Sequence, residues 1–511
     1  MNIEILTEVI SILFTLEVIT ALVIGVCGGI IIGSLPGLSS TMGVALLIPV
    51  TFGLSPVAGL VMLTAIYTSA LYGGSISSIL IHTPGTPAAA ATAIDGYKLT
   101  QKGMAAKAIG VSTISSMIGG FISALALLFL APPLAKISLA FSAPEYFLIA
   151  IFGLTIIGSL ASKSMIKGLT AGVVGLIIGT IGIDVLTGTP RFTFGITFLQ
   201  SGISLVPALI GLFSLSQVMI QAENGFKIDK KNSKSEDKFK GKILPTGKEF
   251  KMISPTIFRS SGIGIIAGML PGAGGDIGSW IGYNEAKRFS KNRDKIGTGH
   301  IEGVAAPEAA NNAVTGGALI PLLTLGIPGS STTAVLLGGL TIQGLIPGHT
   351  LFTEHANVTY SIIIGFLIAN ILMGIIGLIA ARYFIKASQT PMVLLSPIII
   401  ILCIVGSYAI NNNIIDVWIM IAFGLIGYFF RKTGFHPAPV IIGMILGPIA
   451  ESGLRQSLLL SKGNIIIYFL SRPVSIILII LIILALLSPL FIKLFTKNKE
   501  TNILEKSETE E

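Results

Sequence analysis

Charge is what this chain has least of. Asp, Glu, Lys and Arg make up only 11% of its 511 residues, where a soluble domain carries about 25%. With 52% hydrophobic residues, that deficit excludes a soluble globular domain and leaves a polytopic membrane protein. Cysteine is almost missing: Cys27 and Cys403 each sit in an apolar run, which excludes a disulfide framework or a thiolate metal site. The five histidines, His82, His300, His349, His355 and His436, are scattered, and none stands beside a nucleophile or a set of metal ligands, so no catalytic centre is expected. No G-x-x-x-x-G-K-[ST] nucleotide loop occurs, which excludes ATP-driven transport by this chain. The first ten residues, MNIEILTEVI, have acids and no basic segment. A cleaved signal peptide is therefore not expected, and the first apolar run should stay in the membrane.

What the chain does have is glycine, 60 residues of it, as expected where membrane helices pack closely. The net charge of +9 points to no nucleic acid, because the lysines gather in loops between spans, where the positive-inside rule places them. Taking about 20 apolar residues per crossing, spans are expected at 9–35, 108–131, 143–160, 166–186 and 201–221. A short return run lies at 42–53 and a broken run at 57–94. The hydrophilic stretch 223–251, with nine lysines, reads as a linker between halves. The second half has a span at 257–271 with a return to about residue 283, then a basic loop at 285–300. Spans follow at 358–383, 392–411, 414–430, 438–452 and 473–495. The division is a first transmembrane repeat at 1–222, a cytoplasmic linker at 223–256, a second repeat at 257–472, an extra span at 473–495 and a charged cytoplasmic tail at 496–511.

The halves resemble each other. GGIIIGSLPG (28–37) matches IGIIAGMLPG (263–272), and YGGSISSILIHTPGTPAAA (72–90) matches TGGALIPLLTLGIPGSSTTA (315–334) with one gap. The basic loop 95–107 follows the broken run in the first half, whereas 285–300 precedes it in the second. Basic loops that swap sides indicate repeats of inverted topology. The expected fold is thus an all-α polytopic membrane protein of about 11–14 segments. It would have two inverted-topology repeats, each with a hairpin and a Pro-Gly-broken helix, the N-terminus outside and the C-terminus in the cytoplasm. Arg455 and Lys462 fall on the wrong side of that scheme.

Four Pro-Gly sites mark the discontinuities: Pro36-Gly37, Pro84-Gly85, Pro271-Gly272 and Pro328-Gly329. Small or hydroxyl residues follow each one: Ser39, Ser40 and Thr41; Thr86; Ala273 and Gly274; Ser330 and Ser331. Unpaired N–H groups at a helix start carry partial positive charge and bind carboxylates without an arginine. No arginine lies within these segments, so an anionic substrate would be held in this way; the plain alternative is that Pro-Gly merely kinks packed helices. Glu308, Asn311 and Asn312 share one helical face at i, i+3 and i+4. They are expected to couple transport to a cation, Na⁺ or H⁺, unless they form only a packing network. Their first-half counterparts in this alignment are Ala65, Thr68 and Ser69. Asp184 and Asp276 are weaker candidates.

At these residues the chain resembles the large membrane subunit of the tripartite tricarboxylate transporters. The resemblance rests on GSLPGLSS (33–40), HTPGTPAAAATAIDGY (82–97), MLPGAGG (269–275), EGVAAPEAANNAVTGGALIPLLTLGIPGSSTTAVLLGGL (302–340) and FGLIGYFFRKTGFHPAPVIIGMILGPIAESGLRQSLLLS (423–461). Asp276 and His82 depart from the family's usual residues. The resemblance implies a non-enzymatic permease subunit in the bacterial or archaeal cytoplasmic membrane. A small four-span membrane subunit and an extracytoplasmic solute-binding protein would be its partners. It would import citrate-like tricarboxylates, or dicarboxylates and aromatic acids, on a Na⁺ or H⁺ gradient. A passive carboxylate channel, an intramembrane enzyme and a membrane scaffold are the rival readings.

Overall fold

The computed structural model describes residues 3–160, 164–184, 187–223, 242–270, 272, 274–381, 383, 390 and 392–487. Residues 224–241 of the linker, the 496–511 tail and the end of the last span lie outside the described residues, as do Pro271 and Ala273. The first half runs α1 (Ile3–Leu13), α2 (Leu16–Ser34), α3 (Ser40–Thr51), α4 (Pro56–Ile81), α5 (Ala90–Gln101), α6 (Ala105–Ile137), α7 (Ala143–Leu160), α8 (Met165–Gly179) and α9 (Leu205–Glu223). The second runs α10 (Gly247–Met269), α11 (Gly274–Phe289), α12 (Glu302–Leu325), α13 (Ser331–Ile342), α14 (Ala356–Ile379), α15 (Met392–Asn411), α16 (Ile414–Lys432), α17 (Ala438–Leu460) and α18 (Pro473–Leu487).

Among the described residues, eight helices are long and apolar enough to cross a membrane, so the chain is an all-α polytopic membrane protein. One expectation needs correction. The run 9–35 is not one span: the helix ends at Leu13, and Thr15 caps a new one by accepting from Val18 N. A two-residue antiparallel pairing, Gly182–Ile183 with Pro190–Arg191, sits in the loop after α8.

The helices divide into two groups. In the first, α2 packs on α4, α10 on α12, and α6 and α14 close around them. In the second, α17 packs on α7 and α8, and α16 on α9 and α15. The short helices α3 and α13 bridge the groups, α3 against α15 and α9, and α13 against α17 and α9. The middle of the first group is unusual for a membrane protein. α4 and α12 are buried almost along their length, yet they carry Thr64, Thr68, Ser75, Ser77, Glu308, Asn311, Asn312 and Thr315 inward. Polar side chains at such depth are expensive and mark a pathway or a binding site.

Close helix contacts fix how the halves correspond. A Cβ on Gly33 would fall 2.0 Å from Ala70 O, and one on Gly268 would fall 2.4 Å from Val314 O. Gly73 would meet Ile30 O at 2.4 Å, as Gly317 would meet Ile265 O at 2.4 Å. Gly85 would meet Gly33 O at 2.1 Å, as Gly329 would meet Gly268 O at 2.4 Å. The α2 positions map onto α10 by a shift of 235 residues, and the α4 positions map onto α12 by a shift of 244, with no gap. The sequence alignment is therefore one residue out along α4. The counterparts of Glu308, Asn311 and Asn312 are Thr64, Tyr67 and Thr68, not Ala65, Thr68 and Ser69. The same shift places His82 on Gly326, and both end their helix in the left-handed region, at φ 58° and 70°. The close approach makes a test. Gly33→Ala should destabilise the solubilised protein by about 1–3 kcal/mol through overpacking, read as a lower Tm. Gly28→Ala, where a Cβ meets nothing within 4 Å, should leave it unchanged.

Contacts also bring the basic loops together. Lys102 Nζ donates to Thr298 O at 2.7 Å, Lys98 donates to Gly297 O, and Lys107 Nζ lies 2.7 Å from a Glu249 oxygen. The hydrogen bond from Lys107 holds the Glu249 carboxyl well below its usual range, at about 2. At the opposite ends of the helices, Glu17 accepts from Ser55 N at 2.7 Å and Gln343 donates to Thr51 O at 3.2 Å. There too Arg455 Nη1 pairs with Asp184 Oδ2 at 2.6 Å.

Candidate functional site

The four breaks meet in a ring. Gly37 turns the chain at φ 90°, and its carbonyl accepts from Gln217 and Gln221 at 3.1 and 2.8 Å. Ser39 then caps α3 by accepting from Met42 N at 3.2 Å. At the first two positions of α3, the Ser40 and Thr41 hydroxyls lie 3.0 and 2.9 Å from Thr332 Oγ1, tying the first break to the fourth. At the fourth break Ser330 and Thr333 form a reciprocal cap, the Ser330 N–H donating to Thr333 Oγ1 at 2.8 Å, as a capping box requires. The Tyr67 hydroxyl reaches Ser330 Oγ at 3.2 Å. Ser331 opens α13. Gly272 N donates to Gly329 O at 2.9 Å and joins the third break to the fourth. Gly275, in the first turn of α11, lies so near the second break that its Cβ would sit 3.2 Å from Ala88 Cβ. The contact of Gly85 with Gly33 closes the ring between the second and first breaks.

The four breaks are therefore joined, each to its neighbours. α3, α11 and α13 begin there, and the chain after Pro84-Gly85 enters α5 through a 3₁₀ turn at Pro87–Ala89. Helix starts offer N–H donors and a positive field. The residues Pro36, Gly37, Ser39, Ser40, Thr41, Pro84, Gly85, Thr86, Gly272, Gly274, Pro328, Gly329, Ser330 and Ser331 belong to these breaks or to the first turn beyond them. Pro271 and Ala273 lie outside the described residues.

The three polar residues of α12 part company. Glu308 is fully buried and faces the first half. Its Oε1 accepts from Thr92 of α5 at 2.5 Å, and its Oε2 accepts from Ser116 and Ser112 of α6 at 2.9 and 3.3 Å. Asn312 donates to its own counterpart, Thr68, at the carbonyl (3.2 Å) and at the hydroxyl (3.1 Å). The Thr68 hydroxyl passes the connection to Asn370 Oδ1 at 2.7 Å. Asn311 has no hydrogen-bond partner among the described residues at either polar atom, although it is fully buried. A Cβ on Gly275 would lie 2.5 Å from its Oδ1, so its amide meets the third break.

Sequence reasoning missed Asp95. This fully buried carboxylate accepts from Gly297 N at 2.8 Å, Gly299 N at 2.6 Å, His300 N at 2.9 Å and Tyr283 Oη at 3.0 Å. It lies one turn beyond Thr92, so one face of α5 holds both Glu308 and the 297–300 loop. Also unforeseen is a cavity of about 480 Å³ lined by Tyr146, Asp184, Arg191, Glu451, Arg455 and Gln456, among others. Its charges pair internally: Arg455 with Asp184, Arg191 with Glu451, and Arg455 with Glu451 at 3.4 Å. Asp184 is thereby in a salt-bridge cluster remote in sequence from the four breaks. Asp276 stands in the first turn of α11, beside Gly275.

Known proteins place the chain. The profile of the tripartite tricarboxylate transporter TctA family matches residues 19–442. An uncharacterized 52.8 kDa protein in the TAR-I ttuC' 3'region of Agrobacterium vitis is 37% identical over 454 residues, which cover 88% of this chain and 89% of that one. An uncharacterized protein in the TAR-II ttuC' 3'region of the same organism is 38% identical over 212 residues, covering 42% of this chain and 87% of that one. No solved structure matches. The family profile spans most of the chain, including all four breaks and α12, and the chain belongs to the tripartite tricarboxylate transporter TctA family.

Proposed function

We propose that this chain is the permease subunit of an importer of citrate-like tricarboxylates or related organic carboxylates, driven by an ion gradient and fed by a solute-binding protein. The observation that carries the proposal is the ring of four breaks, which lies where the first helix group meets α3 and α13. It offers N–H groups and hydroxyls to an anion and holds no competing arginine. Its two sets of contacts, related by constant shifts, support a pair of inverted repeats with the substrate between them. With the basic loops in the cytoplasm, the Glu17 and Gln343 ends face outward, and the N-terminus with them. Alternating access then requires the group carrying the breaks to move against the α7–α9 and α15–α17 group, with α3 and α13 at the sliding surface. A small four-span subunit and the binding protein complete the system, in a cytoplasmic membrane.

Glu308 is the coupling group in this reading, and the proton is its ion. Each of its oxygens already meets hydroxyl oxygens at hydrogen-bond distance. A bound metal cation would have to part them to reach contact distances of about 2.3–2.6 Å, taking hard-cation sites as the guide. Tyr72, whose hydroxyl pairs with Thr113 at 2.8 Å, is a neighbouring titratable group on α4.

The test is uptake of labelled citrate, malate and benzoate into proteoliposomes holding the chain alone, or the chain with both partner subunits and the binding protein. Accumulation above the outside concentration of at least one carboxylate, only with the partners and only under an ion gradient, is the expected result. Downhill flux through the chain alone, indifferent to any gradient, would show a passive channel instead.

A further inference from the structure

The two sides of the ring are not equally satisfied, and the difference points to the kind of carboxylate that fits. On the side of the first and fourth breaks the polar groups bond one another. Tyr67 meets Ser330, Ser330 meets Thr333, and Ser40 and Thr41 meet Thr332. The 244-residue shift places Asn311 on Tyr67 and Ser330 on Thr86, so the equivalent pair on the other side is Asn311 with Thr86. There the pair is open. The Thr86 hydroxyl and both polar atoms of the Asn311 amide are buried and have no hydrogen-bond partner among the described residues. The amide lies against Gly275, in the first turn of α11, and Gly275 lies against Ala88 of the second break.

Buried polar groups are bonded in native proteins unless something is meant to complete them. A carboxamide needs two different things at once, an acceptor for its N–H and a donor for its carbonyl. A carboxylate alone supplies only the acceptor, and its second oxygen would repel the Asn311 oxygen. A hydroxyl on the carbon next to a carboxylate supplies the missing donor. We propose that Asn311 reads the substrate, with Thr86 beside it, and that the ring takes an α-hydroxycarboxylate in preference to its deoxy analogue. This rests on the carboxylate-permease reading. It also moves Asn311 from the expected ion ligands to the substrate side, leaving Glu308 to couple.

The experiment measures binding to the purified full-length chain in nanodiscs by isothermal titration calorimetry. It uses two matched pairs, citrate against propane-1,2,3-tricarboxylate and malate against succinate, with and without Na⁺. In the wild type the hydroxylated member of at least one pair should bind about 10–100-fold tighter, the cost of leaving buried groups unbonded. In Asn311→Ala that ratio should fall close to one while carboxylate binding persists. Thr86→Val should weaken both members of the pair. If the alanine variant does not fold, Asn311→Ser, which fits the same space, takes its place. Equal binding of both members to the wild type overturns the hydroxyl preference but leaves the carboxylate reading standing. No binding of any of the four acids overturns the hydroxyl preference as well, and the carboxylate reading is then decided by the uptake test with the partners present. A variant that keeps the wild-type ratio, or that changes only the response to Na⁺, overturns the role given to Asn311.

Discussion

Glu308→Gln leaves the chain folded and abolishes accumulation: labelled carboxylate equilibrates across the membrane, or does not move, but no longer concentrates. The side chain keeps its length, and its Oε1 can still accept the Thr92 hydroxyl, or the Ser116 and Ser112 hydroxyls, that now hold the carboxylate. The cost in stability should therefore stay near 1 kcal/mol, the size of a single rearranged hydrogen bond. What is lost is the ability to take up and release a proton. Glu308→Ala separates the two effects. It removes the acceptor from three hydroxyls and opens a cavity, so it should cost about 2–4 kcal/mol as well, read as a lower Tm in detergent. A Glu308→Gln variant that concentrates substrate normally would remove Glu308 from coupling.

Asp95→Ala should be strongly destabilising, at about 1–3 kcal/mol for each partner left without a hydrogen bond. Its carboxylate satisfies three backbone N–H groups of the 297–300 loop and the Tyr283 hydroxyl, and the side chain itself is fully buried. Because Thr92 lies one turn away on α5 and bonds Glu308, loosening this end of α5 should also loosen the Glu308 cage. The variant should show a lower Tm and faster protease cleavage between residues 290 and 300. Unchanged values for both would mean that the loop is held by the Lys98 and Lys102 contacts alone.

The breaks were legible because Pro-Gly interrupts an apolar run by plain covalent geometry, and two pairs of them recur in order. The alternate register along α4 was not. Gly73-Gly74 and Gly316-Gly317 look like the same dipeptide, but the backbones approach at Gly73 and Gly317. A one-residue slip is a rotation of about 100° on a helix of 3.6 residues per turn, enough to hide that Asn312 bonds its own counterpart and that Asn311 stands opposite Tyr67. Spacing alone put Glu308, Asn311 and Asn312 on one face and suggested one job. Their neighbours come from α4, α5, α6 and α11 and give them three environments. Asp95 gave no signal at all, since a lone acid beside lysines reads as a solvated loop until the 297–300 backbone is seen to wrap it.

Proton coupling at Glu308 is the central claim, and one measurement tests it most directly. Uptake is followed in proteoliposomes with both partners and the binding protein present, at fixed membrane potential, under an inward pH gradient without Na⁺ and under an inward Na⁺ gradient without a pH difference. Wild-type protein should concentrate its carboxylate under the pH gradient alone, and Glu308→Gln under neither. Accumulation driven by Na⁺ alone and undiminished in Glu308→Gln would contradict it.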